Sequence, residues 1–212
     1  MKDIVIIGAG GFGREVAWLI EDINDSKYQW NIVGFLDDNN NKWGETLNGI
    51  RVLGGLDWLD NKDDIYYICA VGNPNIKQEL VDKCEDYGAK AATLIHPSTI
   101  ISKYNSIEEG CIICAGNVIT VNISLGRHVI VNIDCTIGHD TVIRDYSTIL
   151  PGVNVSGAVN LGTGCDIGTG SSIIQGVTIG NNSIVGAGSV VIRDLPNNCT
   201  AVGVPAKVIK TR

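Results

Sequence analysis

From residue 95 onward the chain holds one apolar phase with a period of six. Stepping from Ile95 through Ile101, Ile107, Ile113, Ile119, Leu125 and Val131 to Val191, all 17 positions are Ile, Leu or Val. A helix of about 3.6 residues per turn does not keep this phase, and neither does a coiled coil or an alternating strand. Three residues after each aliphatic, from Ile107 on, 12 of 15 sites are Gly, Asn or Asp. Those residues tolerate positive φ, so each unit reads as a short strand followed by a corner. A stack of such units is a hexapeptide parallel β-helix, here predicted over 95–195, with 1–94 as a separate domain and 196–212 as a tail.

The first 94 residues follow a different rule. DIVIIGAG (3–10), NIVGFLDD (31–38), IYYICAVG (65–72) and AATLIH (91–96) read as short strands. Residues 14–24 and 76–88 carry apolar residues at helical spacing, while DDNNNKWG is turn chemistry. The alternation predicts a Rossmann-like α/β layer on a parallel sheet. Gly8-Ala9-Gly10-Gly11-Phe12-Gly13 matches G-x-G-x-x-G between the first strand and helix. Such a turn brings bare amides and a helix N-terminus up to phosphate. Asp37 and Asp38 end the second strand, where an acidic residue holds a ribose hydroxyl in dinucleotide folds. Two readings stay open at this level: a phosphate and ribose site, or glycines that let helix and strand pack and aspartates that cap a turn. About one βαβαβ half fits before the hexads begin, which argues against an NAD-dependent redox enzyme.

Composition narrows the partners. The formal net charge is −7, a poor match for nucleic acid or an anionic membrane surface. With 44% hydrophobic and 18% charged residues the chain can build a core. No stretch nears the roughly 18 apolar residues of a spanning helix, and the opening MKDIVIIGAGG lacks a signal-peptide pattern. Seven scattered cysteines then favour reduced thiols and a cytoplasmic location. Cys111, Cys135 and Cys165 share the slot four residues after the aliphatic with Thr141, Ser147, Ser171, Ser183 and Ser189, a slot for small buried side chains. Cys111-x-x-Cys114 has zinc spacing but no second pair, so no metal is expected.

The chain has three histidines. His96 precedes Pro97 and reads as structural; His128 takes a corner slot with nothing suggestive beside it in sequence. His139 lies in Ile137-Gly138-His139-Asp140, immediately before a corner residue. An imidazole with a neighbouring carboxylate suits a general base, although Asp140 also fills a slot where Gly, Asn or Asp turns the chain anyway. Three hexads make one triangular coil, so Gly157 stacks over His139, leaves room above it and offers an N–H to a developing oxyanion.

With the ordered motifs GAGGFG, FLDD, VGNP, IHPS, IGHD and GVPAK, the chain resembles the left-handed hexapeptide-repeat acetyltransferases. Within them it resembles the sialic acid O-acetyltransferase and UDP-4-amino-sugar (bacillosamine, perosamine) N-acetyltransferase group, over nearly all of residues 3–209. The resemblance implies a homotrimer using acetyl-CoA, with a nucleotide-sugar acceptor. It places the catalytic base on His139, its carboxylate on Asp140 and the oxyanion amide on Gly157. Acceptor contacts fall on Gly10, Gly11, Phe12, Asp37, Asp38 and Gly72, and acetyl-CoA contacts on Thr148, Thr169, Ala187 and Lys207. Phe12 departs from many relatives, which carry histidine there and so have one more donor toward the sugar or its phosphate.

The reading implied is N-acetylation of a nucleotide-linked amino sugar. Its rivals are O-acetylation of a sialic-acid-like sugar, a non-catalytic nucleotide-binding scaffold, and a β-helical carbonic anhydrase whose three-histidine spacing this chain does not reproduce. The charge-free run 111–125, CIICAGNVITVNISL, is expected to be covered by self-association.

Overall fold

A computed structural model describes residues 1–211, which divide into two compact units meeting at Pro97/Ser98. The first unit is a six-stranded sheet in the order β3-β4-β2-β1-β5-β6. Its elements are β1 (Lys2–Ile7), α1 (Gly11–Ser26), β2 (Trp30–Leu36), β3 (Thr46–Leu47), β4 (Ile50–Gly54), β5 (Tyr66–Cys69), α2 (Pro74–Asp86) and β6 (Lys90–Ala91). β1 pairs parallel with both β2 and β5, so the connection direction reverses beside β1. Ligands of open α/β sheets bind at the carboxyl ends of strands flanking such a reversal.

Local chemistry explains the elements. α1 buries Val16, Ala17, Leu19, Ile20 and Ile23 on one face. Gly13 lets α1 close on β1, because a Cβ there would collide with the Gly8 carbonyl. α2 begins at Pro74, earlier than the predicted 76, because the Asn73 side chain accepts from Asn75 N–H and Ile76 N–H at 3.1 and 3.2 Å and caps the helix. The sheet carries a hairpin that the strand reading missed. β3 and β4 run antiparallel around Asn48-Gly49, both at positive φ as a two-residue primed turn requires. The predicted strand 91–96 is two pieces, β6 and the separate Leu94–Ile95. His96, just beyond, is held by Asp22 of α1 at 2.9 Å.

The second unit is a left-handed parallel β-helix of two-residue strands on three faces. The first face carries Ile112–Ile113, Ile130–Val131, Thr148–Ile149, Asp166–Ile167 and Ile184–Val185; the second carries Ile100–Ile101, Val118–Ile119, Thr136–Ile137, Asn154–Val155, Ser172–Ile173 and Val190–Val191. The third runs from Ser106–Ile107 through Ser124–Leu125, Val142–Ile143 and Asn160–Leu161 to Thr178–Ile179. Each strand pairs with its equivalent one coil away, as in Ile113 with Val131 and Val131 with Ile149. The aliphatics point inward, and nearly all from Ile113 on are 0–2% exposed, each worth roughly 1.5–3 kcal/mol. An antiparallel hairpin, Cys199–Val202 with Lys207–Thr211, follows the last coil.

The corners obey backbone geometry more strictly than residue type. His128, Tyr146 and Ala158 break the Gly/Asn/Asp pattern, yet all three sit at positive φ of 55–58°. Asp194 leaves the left-handed region, and its carboxylate accepts Thr178 N–H at 2.8 Å. The slot beside the corners is buried, and at several corners its Cys, Ser or Thr side chain donates to a carbonyl of the coil above. Cys111 bonds Gly126 O at 3.1 Å, Cys135 bonds Leu150 O at 3.2 Å, Cys165 bonds Gly180 O at 3.3 Å and Ser147 bonds Gly162 O at 2.9 Å. Burial lifts the Cys135 and Cys165 thiols to about 11, so they remain protonated donors at neutral pH.

Most of the charge-free run 111–125 is covered by the chain itself. Cys111, Ile112, Ile113, Cys114, Ile119, Ile123 and Leu125 are core residues within the chain itself, and of its large apolar side chains Val121 is the exposed one. Absence of charge there reflects inward orientation first.

Candidate active site

His139 stands on the edge where the second face turns into the third. Its neighbours along that edge are one coil away: Val121 below and Gly157 above. The side chains of His139 and Asp140 are 53% and 56% exposed, so both are open to a substrate. His139 Nδ1 lies 2.8 Å from Asp140 Oδ2. With Nδ1–H donated to that carboxylate, Nε2 keeps its lone pair and is free to take a proton. Hydrogen bonds from His139 and Asn122 hold the Asp140 carboxyl below its ordinary 3.8, which keeps it ionised as a partner for an imidazolium.

Gly157 is the complement of that ring. A Cβ built on Gly157 would lie 2.6 Å from His139 Cε1 and nearer still to Nε2, so no side chain fits while the imidazole holds its place. Gly138 clears the same spot from below, since a Cβ there would come 2.5 Å from Gly157 N. Ala158 N–H donates to His139 O and Gly157 O accepts from Gly176 N–H, whereas Gly157 N–H donates to no group among the described residues. An imidazole and a carboxylate are exposed on this edge, and the undonated amide of Gly157 is buried beneath the ring; an imidazole, a carboxylate and an amide are the groups that acyl transfer employs.

The acetyl-CoA candidates occupy the edge where the first face turns into the second. Thr169 and Ala187 are both exposed and stacked, with Gly188 N–H donating to Thr169 O at 2.8 Å. Lys207 is exposed on the terminal hairpin. Thr148 differs: the residue is 1% exposed, within a strand of the first face.

In the first unit, Gly10, Gly11, Phe12, Asp37, Asp38 and Gly72 all follow the carboxyl ends of β1, β2 and β5. A cleft of about 160 Å³ opens there, lined by Gly8, Asp37, Asp38, Leu56 and Val71 among others. The two aspartates have different jobs. Asp37 Oδ2 accepts Ala9 N–H at 2.8 Å and pairs with Lys42 Nζ at 3.0 Å, while Oδ1 accepts Asn39 N–H at 2.9 Å. Burial alone would raise the Asp37 carboxyl, but these bonds outweigh it and hold it below 3.8. Asp37 therefore braces the glycine loop, and Asp38, exposed at the mouth of the cleft, has the carboxylate that faces solvent.

Other titratable groups are placed elsewhere. His128 is buried at 1% exposure and stacks on Tyr146, ring centroids 5.5 Å apart and planes 5° from parallel. The ring beside His128 belongs to a residue one full coil later, so the two are not neighbours in sequence. Cys111 and Cys114 are both buried, and among the described residues no group of three His, Cys, Asp or Glu is placed to hold a metal.

A family model described as the PglD N-terminal domain matches residues 3–84. GDP-perosamine N-acetyltransferase of Escherichia coli O157:H7 is 32% identical over 156 residues, 73% of this chain and 70% of that protein. UDP-N-acetylbacillosamine N-acetyltransferase of Bacillus subtilis strain 168 is 35% identical, over 54% of this chain and 52% of that protein. Among solved structures, the acetyltransferase domain of PglB from Neisseria gonorrhoeae FA1090, in complex with acetyl coenzyme A, superimposes with a TM-score of 0.89 at 30% identity, covering 98% of this chain and 99% of that one. A histidine-to-asparagine mutant of perosamine N-acetyltransferase from Caulobacter crescentus, in complex with CoA and GDP-perosamine, gives 0.89 at 30% identity over 99% and 98% of the two chains.

An α/β layer followed by a β-helix with an exposed His–Asp pair, in this company, is an acetyltransferase. The chain belongs to the left-handed hexapeptide-repeat family that includes the perosamine and bacillosamine N-acetyltransferases. No helix among the described residues is long and apolar enough to cross a membrane.

Proposed function

We propose that the protein transfers the acetyl group of acetyl-CoA to the amino group of a nucleotide-linked amino sugar. The observation that carries this reading is the fixed His139–Asp140 pair set against the bare amide of Gly157. The acceptor nitrogen attacks the thioester carbonyl while Nε2 of His139 takes its proton. Gly157 N–H holds the oxyanion of the tetrahedral intermediate. Collapse breaks the carbon–sulfur bond, and the proton passes from the imidazolium to the departing thiolate. Asp140 keeps Nδ1 protonated throughout and offsets the imidazolium charge. Gly10, Gly11, Phe12, Asp38 and Gly72 hold the acceptor nucleotide, with Asp37 supporting the loop. Thr169, Ala187 and Lys207 hold acetyl-CoA.

The working unit is a homotrimer in the cytoplasm. Ile100, Val121, Ile133, Ile174 and Ile192 are 39–69% exposed on the second face and its two edges, apolar area that association would cover. Purified protein incubated with acetyl-CoA and a panel of amino and hydroxy nucleotide sugars, with products read by mass spectrometry, tests the reading. An N-acetylated product supports it. An O-acetylated product replaces it with sugar O-acetylation, and no acetylated product from any acceptor leaves a nucleotide-binding scaffold.

A further inference from the structure

Asp140 uses its two carboxylate oxygens on two different partners. Oδ2 meets His139 Nδ1 at 2.8 Å, and Oδ1 accepts from Asn122 Nδ2 at 3.2 Å. Asn122 is the corner residue one coil below Asp140, and both hold the same backbone conformation, φ 59°. Asp140 N–H donates to Val121 O at 3.1 Å, which locks the upper corner onto the lower one. An aspartate side chain 56% exposed has little else to fix its rotamer. The next corners up the column, Ala158 and Gly176, have no polar side chain to offer.

We infer that Asn122 is a positioning residue for the acetyl transfer: it clamps Asp140 in the rotamer that orients His139, completing an Asn122–Asp140–His139 relay. This inference rests on the proposed role of His139 as base. Asn is common at positive φ, so a corner role alone would also place it here. Two features exceed that role. The amide is within hydrogen-bond distance of the carboxylate oxygen that His139 does not use, and the corresponding groups below and above the imidazole are otherwise Val121, Gly157 and Ala158, none able to orient the carboxylate. Asp140 is the one charged side chain hydrogen-bonded to the imidazole among the described residues.

The test compares wild type, Asn122→Gly, Asn122→Asp and His139→Ala by kcat, KM for both substrates and the pH profile of kcat/KM. Glycine accepts the corner φ without an amide, so the fold is kept. Asn122→Gly is expected to lower kcat about 3–10-fold with KM for acetyl-CoA unchanged, and to move the acid limb to lower pH because the imidazolium loses a fixed partner. Asn122→Asp keeps the size but adds a carboxylate beside the pair, moving the acid limb the other way. Opposite shifts with unchanged melting temperatures support the relay, since a purely structural corner would move stability and leave the limb in place. Acid limbs that coincide in wild type and both variants overturn it, provided His139→Ala is inactive. Wild-type turnover in His139→Ala overturns the base assignment and the relay together.

Discussion

The imidazole of His139 fills the space that any side chain at residue 157 would need, with its Cε1 only 2.6 Å from where a Cβ would stand. Gly157→Ala is therefore expected to push the ring off Asp140 and to crowd the amide proposed to hold the oxyanion. Because φ at this position is not in the left-handed region, the backbone itself tolerates alanine. Turnover should fall about 10²-fold, the scale for losing one oxyanion donor, with an unchanged far-ultraviolet spectrum and melting temperature. Normal turnover in Gly157→Ala would remove this glycine from the site.

Replacing the proposed base should be as costly. His139→Ala is expected to lower the acetyl-transfer rate about 10²-fold or more while acetyl-CoA affinity, measured by calorimetry, is largely kept. Asp140→Asn should cost less, since it changes orientation and charge without removing the base.

The two aspartates after β2 separate by assay. Asp38→Ala should raise KM for the acceptor and leave KM for acetyl-CoA alone. Asp37→Ala instead strands Ala9 N–H and Asn39 N–H and is expected to lower stability by about 1–3 kcal/mol in urea titration. The sign with pH follows from its depressed carboxyl. Asp37 contributes fully above the ordinary value of 3.8, and that contribution drains away as pH falls through the lower folded value. Melting curves of wild type and Asp37→Asn should converge in that acid range and separate above it; curves equally far apart at every pH would refute the assignment.

The buried small-residue slot makes its own demand. Serine already serves it at Ser147 and Ser171, donating to carbonyls at 2.9 and 3.0 Å. Cys165→Ser should accordingly be near neutral, whereas Cys165→Val leaves Gly180 O without its donor and should cost about 1 kcal/mol or more. Equal stability of the two variants would mean that packing alone decides the slot.

Assembly predicts complementation. His139→Ala chains mixed with chains carrying Ala187→Trp, each inactive alone, should recover part of the activity if neighbouring chains share a site. The two residues lie on different edges of the prism, so each kind of chain retains one intact half. A monomeric, fully active protein by light scattering would rule sharing out.

Why the β-helix could be read from residues and parts of the site could not comes down to how far apart partners lie. Inward aliphatics and positive-φ corners recur within six residues, so composition at each step carries the signal. The Asn122–Asp140 and His128–Tyr146 contacts join residues a whole coil apart and appear only when corner columns are compared coil by coil. In the α/β unit, Asn48-Gly49 is a hairpin signal, but the strand before it has two residues and shows no alternation to pair with the five-residue strand after it. Asp37 is a different case: nothing in FLDD says which of two adjacent carboxylates will be taken by the amide of Ala9.

Because strands pair residue for residue with their equivalents one coil on, axial distance in the second unit is quantised in steps of about 4.8 Å. The second unit is a graduated rod. Deleting one complete coil shortens it by one graduation and returns every later residue to its own edge, whereas deleting a single hexad rotates every later residue onto a neighbouring face. Such a loss between His139 and Ala187 would carry Ala187 to another edge and break every hydrogen bond that depends on stacking order. Length variation in chains of this design is therefore confined to whole coils or to loops extruded at a corner, where extra residues leave the count undisturbed.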